Sequence, residues 1–138
     1  MYIAKNNDLI ILAKDTREEL EQALQFIVYT SIEETETEYQ LHDGEYLTVD
    51  EIAQKEQERI NNLTMTPLDF IGVLQGLGLT LTQINEFLES HLEIKMQLTY
   101  CNSVYCGVVK QFLPIEIEGI TITSEIVEQA FKQKNGEI

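Results

Sequence analysis

Residues 68–88, LDFIGVLQGLGLTLTQINEFL, contain two apolar runs at helical spacing on either side of a Gly-Leu-Gly segment. Thr66 and Pro67 predict the start of the first helix, at the N-cap and N1 positions. Thr80 and Gln83 predict a capping box that opens the second helix. Two helices joined by so short a turn are typical of an αα-hairpin or of a DNA-binding helix-turn-helix.

The charge of this stretch separates the two alternatives. DNA binding draws most of its affinity from Lys and Arg against phosphates, and no Lys or Arg occurs between Arg59 and Lys95. The second helix, which would have to read bases, carries Glu86 and Glu89 instead. The stretch therefore predicts a packed αα-hairpin, and we expect no direct binding of nucleic acid.

The rest of the second half also has helical patterning. A buried stripe predicts one long helix before Pro114, through Ile94, Leu98, Cys101, Tyr105, Val108 and Phe112. A final helix is predicted from near Thr123 to just before Gly136. Residues 65–138 are thus predicted to form a helical subdomain of four to five helices. The pattern leaves open whether Val108, Val109, Phe112 and Leu113 lie in a core or in a dimer seam of a homo-oligomer.

The first half predicts a small sheet. Residues 2–5 and 9–13 flank an Asn-Asn-Asp turn, and 34–40 alternate as a strand before a hairpin turn at Asp43-Gly44. A short covering helix is predicted from Thr16 onwards, its apolar positions being Leu20, Ala23, Leu24 and Ile27. The predicted fold class is α+β. Its parts are a ββαββ-like antiparallel sheet subdomain at 1–48, a connecting helix at 49–64 that Thr48 and Glu51 cap, and the helical subdomain at 65–138.

The net charge of the chain limits the kinds of partner that it can bind but does not identify a function. The chain of 138 residues has a formal net charge of −15, and residues 1–64 hold 15 acidic and 5 basic side chains. The charge is typical of a solubilising surface, but it also suits a basic partner or imitation of nucleic acid. The candidate acidic docking patch is Glu33, Glu34, Glu36 and Glu38. On a strand, alternate glutamates would stand about 6.6 Å apart, close to the roughly 7 Å between phosphates of one DNA strand.

No residue pattern indicates catalysis or a bound cofactor. His42 and His91, the two histidines, have no nucleophile or carboxylate at triad spacing. Cys101 and Cys106 are too far apart on one helix for a disulfide and too few for zinc, and we place Cys101 in the core. QGLGLT lacks the lysine of a phosphate loop. We expect a non-enzyme with no catalytic, metal or cofactor-binding residues.

There is no apolar run of about 18 residues and no signal peptide, so we expect no membrane association.

The helical half resembles a known family. MTPLDFIGVLQGLGLTLTQINEFLESHLEIKMQLTYCNSVYCGVVKQFLP at 65–114, followed by TITSEIVEQAFK at 121–132, is similar to small uncharacterised proteins encoded in the tail and lysis regions of phages and prophages of Gram-positive bacteria. The N-terminal segments TREELEQAL, YTSIEET and DGEYLT match more weakly. The shared pattern is one of packing, so it carries over no catalytic residues.

The resemblance implies a setting in the host cytoplasm or the virion. It implies a minor tail component or a tail assembly factor whose partner is a phage structural protein or a host protein. The alternative is an acidic inhibitor that blocks a host defence nuclease by DNA mimicry. A host-encoded regulatory or adaptor protein is a third interpretation that the residues leave open.

Overall fold

In the computed structural model, which describes residues 1–138, the chain begins with an antiparallel hairpin of β1 (Tyr2–Asn6) and β2 (Leu9–Lys14). The helix α1 (Arg17–Ala23) follows, and Thr16 caps it by accepting a hydrogen bond from the backbone of Glu19. β3 (Ser31–Glu34) then pairs with β1, which gives a three-stranded sheet in the order β2-β1-β3. The predicted small antiparallel sheet with one covering helix is confirmed.

A second hairpin completes this part of the chain. β4 (Gln40–His42) and β5 (Glu45–Leu47) pair antiparallel and form a two-stranded sheet of their own. Asp43 and Gly44 both have positive φ, 48° and 82°, as a type I′ turn requires. The predicted turn at Asp43-Gly44 is therefore confirmed.

The helix α2 (Val49–Asn61) begins with a capping box, because Thr48 and Glu51 each accept a hydrogen bond from the other's backbone N–H at 3.2 Å. The chain divides within this helix into an N-terminal unit, Met1–Glu56, and a C-terminal unit, Gln57–Ile138. The buried cluster of the N-terminal unit is small and consists of Ala4, Leu20 and Leu24.

Five helices dominate the C-terminal unit, within the predicted four to five: α3 (Pro67–Gly76), α4 (Leu81–Ser90), α5 (Leu92–Tyr100), α6 (Cys106–Lys110) and α7 (Ser124–Lys134). Short strands lie between them, β6 (Thr64–Met65) paired with β7 (Val104–Tyr105) and β8 (Ile115–Ile117) paired with β9 (Ile120–Ile122). Together with the N-terminal sheet they make the predicted α+β fold. None of the seven helices is long and apolar enough to cross a membrane.

Residues 68–88 fold as the predicted αα-hairpin, in which α3 packs against α4. Thr66 caps α3, and Thr80 with Gln83 forms the complete capping box of α4. Gly78 makes the turn with φ +103°, and a Cβ on it would come within 3.3 Å of Ile120 Cδ1. A side chain at position 78 would therefore be strained by the backbone and crowded by a neighbour.

The core of the C-terminal unit is a cluster of buried apolar residues: Ile60, Met65, Phe70, Leu74, Leu79, Ile84, Phe87, Ile94, Val104, Cys106, Val109, Ile122, Val127 and Phe131. Val108, Phe112 and Leu113 are partly buried and pack against it. These residues and Val109 thus lie in the core or at its margin.

The single long helix predicted through Ile94 and Phe112 is wrong. α5 ends at Tyr100, Cys101 is extended with ψ 152°, and the chain pairs as β7 before α6 begins. Asn102 and Ser103, which favour turns over helix interiors, lie at the break. The Cys106 N–H donates to the Leu63 carbonyl at 2.9 Å, so pairing with the segment before α3 prevails over helical continuation.

The strand predicted at 34–40 is also wrong. β3 ends at Glu34, and β4 begins only at Gln40. Thr35 continues the pairing by one residue, since its N–H donates to the Met1 carbonyl at 2.9 Å. Its hydroxyl accepts from the Thr37 N–H at 3.1 Å, a local bond that turns the backbone out of the sheet.

Candidate functional site

The candidate acidic patch is exposed but does not form one row. Glu33 and Glu34 lie on β3, where successive side chains point to opposite faces, and Glu36 and Glu38 lie in the segment before β4. Glu33 is paired with Lys5, whose Nζ is 3.1 Å from Glu33 Oε2. The patch is therefore a set of four exposed carboxylates on β3 and in the segment after it, without the regular strand spacing that the alternation predicts.

A second feature of the N-terminal unit is a run of four consecutive exposed apolar residues, Phe26, Ile27, Val28 and Tyr29, between α1 and β3. We call this run the apolar loop. The side chain of Phe26 is 97% exposed and that of Val28 is 79% exposed. Single apolar residues are common on protein surfaces, but uninterrupted runs of this kind are typical of functional surfaces.

Backbone bonds fix both ends of the apolar loop. At its start, the Ile27 N–H donates to the Leu24 carbonyl at 3.0 Å, and Leu24 is buried. At its end, Thr30 donates to the Lys5 carbonyl from both its N–H, at 2.7 Å, and its hydroxyl, at 3.1 Å. The same hydroxyl accepts from the Asn7 N–H at 2.9 Å. The loop is thus attached to the β1–β2 turn, while Phe26 and Val28 are largely in solvent and Ile27 and Tyr29 are 45% and 43% exposed.

Sequence reasoning missed this site. The helical spacing assigned Ile27 to the buried stripe of α1, but the helix ends at Ala23 with Leu24 as its C-cap, and Ile27 is exposed. The available signal was the uninterrupted run FIVY, which fits neither the two-residue period of a strand nor the 3.6-residue period of a helix.

The C-terminal unit has an apolar surface of its own on α5. Leu92, Met96 and Tyr100 recur every four residues and are at least half exposed, so they form a stripe along one helix face. They line a shallow hollow of about 330 Å³ together with Lys95 and Thr99. The opposite face of α5 is buried through Ile94. We call the exposed set the α5 stripe.

The apolar loop and the α5 stripe are two groups of apolar side chains that the fold leaves exposed. Comparison with protein-family models, with curated proteins and with solved structures finds no match. The evidence for function therefore comes from the exposure and apolar character of these two surfaces.

A hollow of about 260 Å³ lies between α4 and the segment of β8, lined in part by Gln83, Phe87 and His91. The ring of His91 is held by its Nδ1, 2.8 Å from the Phe87 carbonyl, and contacts the rings of Phe87 and Phe112. His91 is thereby packed as an aromatic side chain at the α4–α5 boundary. His42 lies in the N-terminal unit, beside Asp43, with Nε2 3.5 Å from Oδ2.

The two cysteines differ in environment, and the prediction that Cys101 lies in the core is wrong. Cys101 is exposed at the end of α5, whereas Cys106 is fully buried at the start of α6. The cause is the break between the two helices, which turns Cys101 out of the buried stripe. Burial raises the pKa of the Cys106 thiol to about 11, so this thiol stays protonated and unreactive near neutral pH.

Two of the ion pairs perturb the pKa of a carboxyl group. Lys110 donates to Glu128, and this hydrogen bond holds the pKa of the Glu128 carboxyl below its usual range. Lys55 lies 2.7 Å from Glu45 and lowers the pKa of that carboxyl in the same way, by hydrogen bonding. No three His, Cys, Asp or Glu side chains are placed to hold a metal ion.

Proposed function

We propose that this chain acts by binding other proteins, as a non-enzymatic minor tail component or tail assembly factor encoded by a phage or prophage. The observation that carries the proposal is the apolar loop. A run of four apolar side chains that the fold holds in solvent gains free energy when a partner covers it, about 25 cal/mol for each Å² of apolar surface removed from water. The phage setting is supported by the resemblance of residues 65–132.

The partner we propose is a protein, either a phage structural protein or a host protein. An exposed apolar loop could also insert into a lipid surface, but such insertion is normally assisted by Lys and Arg against anionic headgroups. The N-terminal unit holds 14 acidic and 4 basic residues, so its charge opposes an anionic membrane. We propose the host cytoplasm or the virion as its setting and propose no cofactor.

The experiment is mass spectrometry of virions and of lysate from an induced lysogen that carries the gene. A tail component is expected in purified virions at a fixed ratio to other tail proteins. An assembly factor is expected in the lysate, bound to a tail subunit, and its deletion should lower the yield of tails. Normal tails from the deletion strain, with no tail protein bound to the chain, would overturn the proposal.

Loop variants connect the assay to the structure. The double variant Phe26→Ser with Val28→Ser is expected to lose the association with tail proteins. Leu41→Ser is the matched control, because Leu41 is an exposed apolar residue of the same unit that lies outside the apolar loop. Met96→Ser tests the α5 stripe independently. Equal loss in the Leu41 control would show that the effect is not specific to the loop.

The alternative function, inhibition of a host defence nuclease by DNA mimicry, predicts a different result. It would leave the chain absent from virions and bound to a nuclease in the lysate. Its geometric basis was a row of Glu34, Glu36 and Glu38 at strand spacing, and of these only Glu34 lies on a strand. The alternative therefore depends on the net charge of −15 alone.

A further inference from the structure

β3 is an edge strand of the three-stranded sheet. It pairs on one side with β1, and no strand lies on its other side in the order β2-β1-β3. Apart from the pairing with β1, no backbone hydrogen bond joins residues 31–34 to another element. An open edge of this kind is a template on which a further strand can pair.

The register shows which backbone groups are open. Met1 and Thr35 exchange both hydrogen bonds, with the Met1 amino group 3.2 Å from the Thr35 carbonyl and the Thr35 N–H 2.9 Å from the Met1 carbonyl. In an antiparallel pair such exchanges recur at every second residue, so Glu33 is bonded to β1. Ile32 and Glu34 consequently direct their N–H and C=O groups away from the sheet.

The negative charge around this edge determines which partner strands can pair with it. Glu33 and Glu34 lie on the strand, and Glu36 and Glu38 follow it. A second copy of this chain pairing through β3 would bring carboxylates against carboxylates, and like charges on facing strands are destabilising. Glu34 has no cation within ion-pair distance, so a basic side chain from a partner strand would neutralise it.

We propose that an extended segment of a partner protein, with Lys or Arg alternating with apolar residues, adds to β3 as a fourth strand. Its backbone bonds to Ile32 and Glu34, and its basic side chains lie among the carboxylates at the Glu34 end. An apolar side chain of the segment contacts the apolar loop, which joins β3 at the Ser31 end. This inference rests on the proposed protein-binding function and states the chemistry of the partner.

The probe is a synthetic peptide of alternating Lys and Val, and its control is the peptide with Glu at every Lys position. Amide hydrogen exchange of the full chain is followed by NMR with each peptide. With the Lys peptide we expect the amides of Ile32 and Glu34 to exchange at least about tenfold more slowly, because they gain hydrogen bonds. The Glu33 amide, already bonded to β1, should change less. The Glu peptide should protect none of them.

A charge reversal provides the second measurement. Glu34→Lys is expected to weaken binding of the Lys peptide at least about tenfold and to strengthen binding of the Glu peptide, while Glu34→Gln should be intermediate. The exchange of β1 amides in each variant shows that the sheet is intact. Protection absent from Ile32 and Glu34, or equal binding of the two peptides, would overturn the inference.

The lysogen assay distinguishes failure of this inference from failure of the proposed function. If the Phe26→Ser and Val28→Ser variant loses its tail partner while Glu34→Lys retains it, protein binding stands and strand addition is wrong. If the chain has no tail partner at all but the Lys peptide protects Ile32 and Glu34, the edge chemistry stands and the tail function is wrong.

Discussion

The assignment of the apolar loop to binding can be tested through stability, by comparing Phe26→Ala with Leu20→Ala. Both changes remove a large apolar side chain from the N-terminal unit. Leu20 is completely buried against the sheet, whereas Phe26 is almost completely exposed. Truncation of a buried Leu costs about 2–5 kcal/mol, because the apolar contacts are lost and a cavity remains. Truncation of an exposed side chain usually changes stability by less than about 0.5 kcal/mol.

Hydrogen exchange of the β1 amides measures the opening of this unit by itself. Since about 1.4 kcal/mol corresponds to a tenfold change in an equilibrium constant, Leu20→Ala should lower the protection of the Ile3 and Ala4 amides by about 30-fold or more. Phe26→Ala should change it by about twofold at most. Val28→Ala, at a second exposed position, should behave like Phe26→Ala.

A large loss of protection in Phe26→Ala would refute the reasoning. It would mean that Phe26 stabilises the fold through contacts that its exposure excludes, and the apolar loop would then be a structural element. A negligible effect of Leu20→Ala would refute the assignment of the N-terminal core. Both results are obtained from the exchange of the Ile3 and Ala4 amides in the same experiment.

Three further predictions concern the C-terminal unit. Thr80→Ala should destabilise it by about 1 kcal/mol, measured as a lower urea midpoint, because the hydroxyl that accepts a hydrogen bond from the Gln83 N–H is lost. Glu128→Gln should lower the urea midpoint more at pH 7 than at pH 3: the depressed pKa of Glu128 contributes stability that is complete above pH 4.5 and is lost as pH falls through the folded-state value. An equal deficit at both pH values would contradict this. Iodoacetamide should modify Cys101 and leave Cys106 unmodified in the native protein, by mass spectrometry, and Cys101→Ser should abolish modification.

Short-range sequence signals correctly predicted the start of three helices and the position of one hairpin turn. Thr66, Thr80 and Thr123 each cap the helix that the sequence predicts after them, because a cap is a bond between residues three positions apart. The Asp43-Gly44 turn is equally local, since its backbone conformation depends on those two residues.

The errors arose where distant segments decide the structure. The break at Cys101 depends on pairing of β7 with β6, about forty residues earlier in the chain. The extent of β3 depends on its partner strand β1, which pairs with residues 31–34. Neither partner can be recognised from the local period, which continues as helix in the first case and as strand in the second.

The candidate site was predicted only in part. Glu33, Glu34, Glu36 and Glu38 are on the surface, but the argument from their spacing required a strand that ends at Glu34. The apolar loop was not predicted, because apolar residues are assigned to cores by default. The structure shows instead that the four side chains of FIVY are exposed, beside a small buried cluster of three residues.

The bonds of Thr30 bear on how the apolar loop would meet a partner. Ordering a residue's backbone costs roughly 1–2 kcal/mol of conformational entropy. In this protein the loop is closed by Leu24 on one side and by Thr30 on the other, so much of that ordering occurs during folding. A complex formed by a pre-organised loop retains more of its contact energy as affinity, and that advantage is expressed chiefly as slower dissociation.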